Sequence, residues 1–100
     1  MKRYDAIVVG GGVNGLTTAA YLGKSNRKIL LLEKNETVAG LASTEEFTPE
    51  FKCNTVIDSV PWINDQVVSE LELEKHGLRL TSSNSGVTSP TGNGKVLTLS

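Results

Sequence analysis

The feature that most constrains this chain is Gly10-Gly11-Gly12-Val13-Asn14-Gly15, a GxGxxG pattern with an additional glycine between the first two. Alone such a pattern is weak. Here it follows the β-branched run Ala6-Ile7-Val8-Val9 and opens a helical pattern. A second apolar run, Ile29-Leu30-Leu31-Leu32, then ends at Glu33, 18 residues after Gly15. Short continuous apolar runs that stop at glycine read as strands buried on both faces of a parallel sheet. Between them Leu16, Ala19, Ala20 and Gly23 recur at helical spacing as a stripe of small residues, with Thr17, Thr18, Tyr21 and Lys24 on other faces. Asn26 fits a left-handed residue just past the helix end, and Lys24, Arg27 and Lys28 sit near its negative dipole end. Two strands joined by one helix predict a right-handed βαβ crossover.

Each fingerprint residue has a physical task. Gly10 permits a tight turn off the strand. Gly12 lacks a β-carbon and lets a pyrophosphate approach the backbone, and Gly15 lets the helix sit close to the strands. Unpaired N–H groups and a positive dipole end of roughly half a charge at the helix start hold a phosphate without lysine or arginine. Glu33, at the second strand's tip, can accept hydrogen bonds from both hydroxyls of an adenosine ribose and would repel a 2′-phosphate. NADP is thereby disfavoured, and FAD or NAD remains.

Charge and length agree with a local site. Ten Lys plus Arg against eleven Asp plus Glu leave −1, with no electrostatic footprint for nucleic-acid backbone or an anionic membrane. Leu, Val, Ile and Phe make up 28 of 100 residues, enough for a small core. The single cysteine, Cys53, excludes an internal disulfide, and with the single His76 it makes no Cys/His zinc site. No run reaches the ~20 apolar residues of a membrane span. The expectation is a soluble, cytoplasmic chain with no metal.

Beyond residue 34 the pattern loosens. Residues 35–63 read as an irregular connecting excursion, with Phe47 and Phe51 flanking Pro49 in a turn and residues 54–60 extended. Asn64 or Asp65 caps a helix carrying Val67, Val68 and Leu71 that Gly77 stops after Lys75 and His76, although the alternation Glu70-Leu71-Glu72-Leu73-Glu74 fits a strand as well. A polar stretch, 81–94, precedes Lys95-Val96-Leu97-Thr98-Leu99, which alternates like a half-buried strand, with Gly92-Asn93-Gly94 as a hairpin turn. Cys53 reads as a small buried hydrophobe rather than a nucleophile, since no base lies nearby. His76 reads as a helix-end cation, the Glu70, Glu72 and Glu74 set as a solvated face or edge, and Tyr21 and Trp62 as packing groups rather than cofactor stackers.

The stretch from Tyr4 through Gly10-Gly11-Gly12-Val13-Asn14-Gly15-Leu16 resembles the N-terminus of FAD-dependent oxidoreductases of the phytoene desaturase type. Leu31-Leu32-Glu33-Lys34, Thr44-Glu45-Glu46-Phe47, Phe51-Lys52 and residues 71–78 resemble the related pyridine nucleotide-disulphide oxidoreductase domain-containing proteins. The resemblance implies a partial Rossmann-like α/β domain whose βαβ unit holds the ADP half of FAD. It also implies a second glycine motif that helps hold the cofactor. Gly40 aligns with one of its glycines, beside Leu41. Ala39 stands where the partner glycine is usual, which puts a close backbone approach there in question. The cofactor-binding set is then Gly10, Gly11, Gly12, Val13, Asn14, Gly15, Glu33, Lys34, Gly40 and Leu41, with no catalytic residue among them.

In a doubly wound sheet the first strand is central, with later strands on its far side. Residues 1–100 therefore read as the truncated N-terminal portion of a dinucleotide-binding domain. Its exposed sheet edge is to be covered by the rest of the enzyme or by another chain. Catalysis by these residues alone is not expected. The alternatives are a non-catalytic fragment that binds no nucleotide and a small NAD-binding module.

Overall fold

The computed structural model describes residues 1–57, 59–60, 62–82 and 86–99. It begins as the sequence predicts, with β1 (Ala6–Val9), α1 (Val13–Lys24) and β2 (Ile29–Leu32). The strands pair in parallel from Ala6↔Ile29 to Val9↔Leu32. Below them Asp5 clamps Lys28 twice at 2.7 Å, its N–H donating to the Lys28 carbonyl and its carboxylate accepting the Lys28 N–H. α1 stops where Asn26 takes φ 63°, a conformation asparagine tolerates better than most residues.

Burial departs from expectation. Side chains of a strand alternate between faces, and α1 covers only one of them. Ala6 and Val8 are half-buried, whereas Ile7 and Val9 are 58% and 82% exposed. On α1 the half-buried side includes Gly15, Leu16, Ala19 and Leu22, while Ala20 and Gly23 of the expected stripe are exposed. A strand buried on both faces needs two covering layers, and the described residues supply one.

A 3₁₀ turn, Gly40–Ala42, leads into an antiparallel ribbon of β3 (Thr44–Thr48) and β4 (Phe51–Asn54), with an irregularity between Glu46 and Thr48. The turn at Pro49 is as predicted, with Glu50 at φ 70° and the Phe47 and Phe51 ring centroids 6.4 Å apart. The ribbon itself lies within the segment read as irregular, because Thr-Glu-Glu-Phe-Thr lacks an apolar alternation. Cys53, expected to be buried, is exposed in β4 opposite Glu45. The extended reading of 54–60 includes Asp58, which lies outside the described residues, and Thr55 and Val56 form a bend.

α2 (Asp65–Glu70) is capped by Asn64, whose Oδ1 accepts from the Gln66 N–H at 2.9 Å. It ends before Lys75 because Glu72 takes φ 52°, and residues 71–77 continue as tight turns up to Gly77 at φ 103°. Glu70 thus ends α2, while Glu72 and Glu74 lie in turns and form neither strand nor continued helix. The last ribbon pairs β5 (Val87–Pro90) with β6 (Val96–Leu99) across a turn where Gly92 and Gly94 have φ 77° and 75°. Its alternation predicts a half-buried β6, yet every residue of that strand is exposed, because among the described residues no second layer lies against the ribbon. The polar stretch 81–94 falls partly outside the described residues, at 83–85.

Candidate functional site

β1 delivers the chain into a glycine turn held by several backbone hydrogen bonds. Gly10, at φ 104°, donates its N–H to the Leu32 carbonyl at 2.7 Å. Gly12 is the N-cap of α1, with extended φ −73° and ψ −177°, and its carbonyl accepts the Leu16 N–H at 2.9 Å. No side chain caps this helix and its first turn holds no acid. The N–H groups of Val13, Asn14 and Gly15 precede Leu16, the first intrahelical donor, so they are left for a ligand or water. A β-carbon on Gly12 would meet nothing within 4 Å, whereas one on Gly15 would lie 1.9 Å from the Gly10 carbonyl oxygen. Glycine at 15 is thus a packing requirement and glycine at 12 leaves open space.

A cleft of about 470 Å³ lies over this helix start. Gly10, Gly12, Val13, Asn14 and Gly15 form one wall, and Gly40 and Leu41 contribute to the other. Gly11, Glu33 and Lys34 are not among its lining residues, and Lys34 is exposed. Val9, Ala42 and Ile57 also line the cleft, and the fingerprint spacing carries no signal for them. Ile57 is held there by its N–H, which reaches the Leu41 carbonyl at 3.4 Å.

Ala39 packs its backbone directly against the glycine turn. Its N–H donates to the Gly11 carbonyl at 2.7 Å and it bridges Gly12, at φ 87° and ψ −7°. The alanine adopts the left-handed conformation a glycine would adopt freely. Gly40 follows at φ 54°, where an added β-carbon would sit 3.4 Å from the Gly12 Cα.

Glu33 points at the turn. Its Oε2 accepts the Gly11 N–H at 2.6 Å and its Oε1 accepts the Asn35 N–H at 3.1 Å. These backbone donors, Asn35 first and then Gly11, hold its carboxyl below the usual carboxylate range, with the Lys34 charge adding to them. The site therefore presents a fixed anion on one side of Gly11 and an uncapped helix start on the other.

Elsewhere the structure revises several readings. Glu70 is not simply solvated, since its carboxylate accepts from the Tyr21 hydroxyl at 2.6 Å and from Gln66 Nε2 at 2.8 Å. Lys24 Nζ donates to the Glu70 carbonyl. Tyr21 thus anchors α2 to α1 by a hydrogen bond and not by packing alone. Trp62, read as a packing group, is 74% exposed. His76 lies in the turn after α2, with its N–H bonded to the Glu72 and Leu73 carbonyls. Among the described residues no group of three His, Cys, Asp or Glu could hold a metal. No helix among them is long and apolar enough to cross a membrane.

Residues 8–66 match the family of NAD(P)-binding Rossmann-like domains. Pyridine nucleotide-disulfide oxidoreductase domain-containing protein 2 of Mus musculus is 40% identical over 78 residues, which is 78% of this chain and 13% of that protein. A limonene dehydrogenase of Castellaniella defragrans is 44% identical over 48 residues, covering 48% of this chain and 9% of the matched polypeptide. Carotenoid 3,4-desaturase of Haloarcula japonica is 50% identical over 42 residues, covering 42% and 8% respectively. The chain therefore spans about an eighth or less of the curated relatives it matches. No solved structure matches it. The resemblance read from the glycine turn and from Leu31-Leu32-Glu33-Lys34 agrees with these relatives.

Proposed function

The chain belongs to the family of NAD(P)-binding Rossmann-like domains, and from that premise we propose that it supplies the ADP-binding βαβ unit of a phytoene dehydrogenase-like, FAD-dependent oxidoreductase. The observation that carries this reading is the uncapped start of α1 facing an open cleft beside an anionic Glu33. In this reading the pyrophosphate rests on the N–H groups of Val13, Asn14 and Gly15, over the bare Cα of Gly12. Gly10 and Gly11 shape the turn, Gly40 and Leu41 bound the cleft from across, and Lys34 lies nearby at the strand end. Glu33 takes the ribose hydroxyls with the acceptor capacity its two backbone bonds leave free, and its charge opposes a 2′-phosphate.

Bound flavin would supply the hydride-accepting chemistry, and this chain's residues bind and orient it without forming or breaking bonds. Relatives named as a dehydrogenase and a desaturase support a redox role for the cofactor, and the resemblance of the glycine turn to FAD-dependent oxidoreductases favours flavin. Residues 1–100 are then the N-terminal portion of the cofactor domain. The bare face of β1 is covered by the rest of such an oxidoreductase or by another chain, in the cytoplasm. The family's description keeps NAD as the second reading.

Thermal shift of the purified protein with FAD, ADP, NAD and NADP tests this. FAD and ADP should raise the midpoint and NADP should not. Gly12→Val should abolish the effect by filling the open space over the turn. Preference for NAD over FAD would support a small NAD-binding module. No stabilisation by any of the four would leave a unit that packs without binding nucleotide, and the proposal would fail.

A further inference from the structure

The peptide groups on both sides of Gly11 are the meeting point of three elements. Gly11 is the only buried residue among those described. Its N–H is taken by Glu33 Oε2 at 2.6 Å and its carbonyl by the Ala39 N–H at 2.7 Å. A β-carbon there would sit 3.0 Å from Glu33 Oε2 and 3.2 Å from both Glu33 Cβ and Val38 Cγ1. The tip of β2, the glycine turn and the residue that begins the second turn are thus fastened to one another through a single glycine. Gly12, the next residue, is the cap of α1 and the floor of the cleft.

We infer that Glu33 is a positioning residue for the phosphate subsite, in addition to the ribose contact proposed above, on which this inference rests. Its carboxylate holds Gly11 so that Gly12 and the start of α1 face the cleft, and through the Gly11 carbonyl it fixes Ala39 on the opposite wall. A group that only received ribose would have no influence on a ligand that lacks one. A group that holds the turn must influence every anion bound there.

The direction of the effect separates positioning from electrostatics. Removing a negative charge near an anion site should by itself strengthen anion binding. Loss of the clamp should weaken it. The test is competition of inorganic pyrophosphate, which carries no ribose, against ADP on the purified protein, in the unaltered form and in Glu33→Gln and Glu33→Ala. Pyrophosphate affinity should fall by about tenfold in Glu33→Ala, as expected when a charge-assisted hydrogen bond to a buried N–H is lost. Glu33→Gln keeps an oxygen that can accept the Gly11 N–H and should bind pyrophosphate at least as well as the unaltered protein. ADP should weaken in Glu33→Ala by more than pyrophosphate does, because it loses the ribose contact as well.

Pyrophosphate affinity that is unchanged or higher in Glu33→Ala, while ADP weakens, would leave Glu33 as a ribose acceptor alone and overturn the inference with the proposed function intact. Pyrophosphate that fails to compete in the unaltered protein although ADP binds would overturn it too. Failure of ADP itself to bind the unaltered protein would instead remove the proposed function. If Glu33→Ala does not fold, amide exchange of Gly11, Gly12 and Ala39 in Glu33→Gln replaces it. The clamp predicts faster exchange at all three with the weaker, uncharged acceptor, and unchanged exchange would overturn the inference.

Discussion

Ala39 and Glu33 show how single residues set the shape of the turn. An alanine at φ 87° costs on the order of 1 kcal/mol relative to a relaxed backbone, and here the Gly11 carbonyl keeps it there. Ala39→Gly removes that cost while adding some freedom to the unfolded chain, so a net gain of about 0.5–1 kcal/mol is expected. A urea midpoint that falls would show that the methyl group contributes more by packing than the conformation costs. Glu33 acts through charge. Its folded carboxyl is held below its ordinary value of 4.5, so the folded state binds fewer protons than the unfolded state through the acid range. The stability it contributes is fully present above about pH 4.5 and is lost as pH falls through the depressed folded value. In Glu33→Gln the urea midpoint should vary less over that window. An acid limb identical to that of the unaltered protein would mean that other carboxylates govern it.

At the scale of elements, α2 is too short to persist alone, and its attachment to α1 is polar. The Tyr21 hydroxyl and Lys24 Nζ both reach Glu70, the last residue of α2. The contact raises the tyrosine above its usual pKa, the hydrogen bond to Glu70 being the largest cause, and lowers Glu70 through the same bond. Tyr21→Phe should therefore leave the exchange of β1 and β2 amides unchanged while α2 amides exchange several-fold faster. Equal protection in both proteins would show that the Lys24 contact suffices. Nothing in the sequence announces this pairing, because Tyr21 and Glu70 are 49 positions apart and neither belongs to a spaced motif. What is legible is local. The βαβ unit, the left-handed Asn26, the Asn64 cap and the Gly92 to Gly94 turn each follow from neighbouring residues. The candidate site divides the same way, since Gly10, Gly12 and Gly15 are readable from spacing and the conformation each requires. The use of Gly11 by both Glu33 and Ala39 depends on how three segments meet, as does the arrival of Ile57 at the cleft. The β3–β4 ribbon escapes a sequence reading because it is exposed throughout and so leaves no periodic apolar trace.

For the whole molecule, surface area outweighs the local order. The accessible surface is 8834 Å², against about 5,500 Å² for a compact monomer of this mass. The radius of gyration is 18.5 Å, against about 13 Å for a compact chain of this length. Among the described residues three two-stranded sheets stand separately, and no hydrophobic residue is fully buried. Isolated two-stranded ribbons are marginal in water, and Val87, Leu97 and Leu99 in the last ribbon remain 73%, 56% and 64% exposed. Because the denaturant slope scales with the surface newly exposed on unfolding, residues 1–100 by themselves should unfold broadly in urea. Their slope should lie at or below the low end of the roughly 1–3 kcal/mol per molar seen for small domains. The βαβ unit should be the last part to lose amide protection, since it alone combines a paired sheet with a helix laid across it. A steep transition independent of protein concentration would mean that a monomer buries in solution the faces left bare here. A steep transition that sharpens with concentration would assign that burial to contacts between copies, which sedimentation would register as a dimer or larger species.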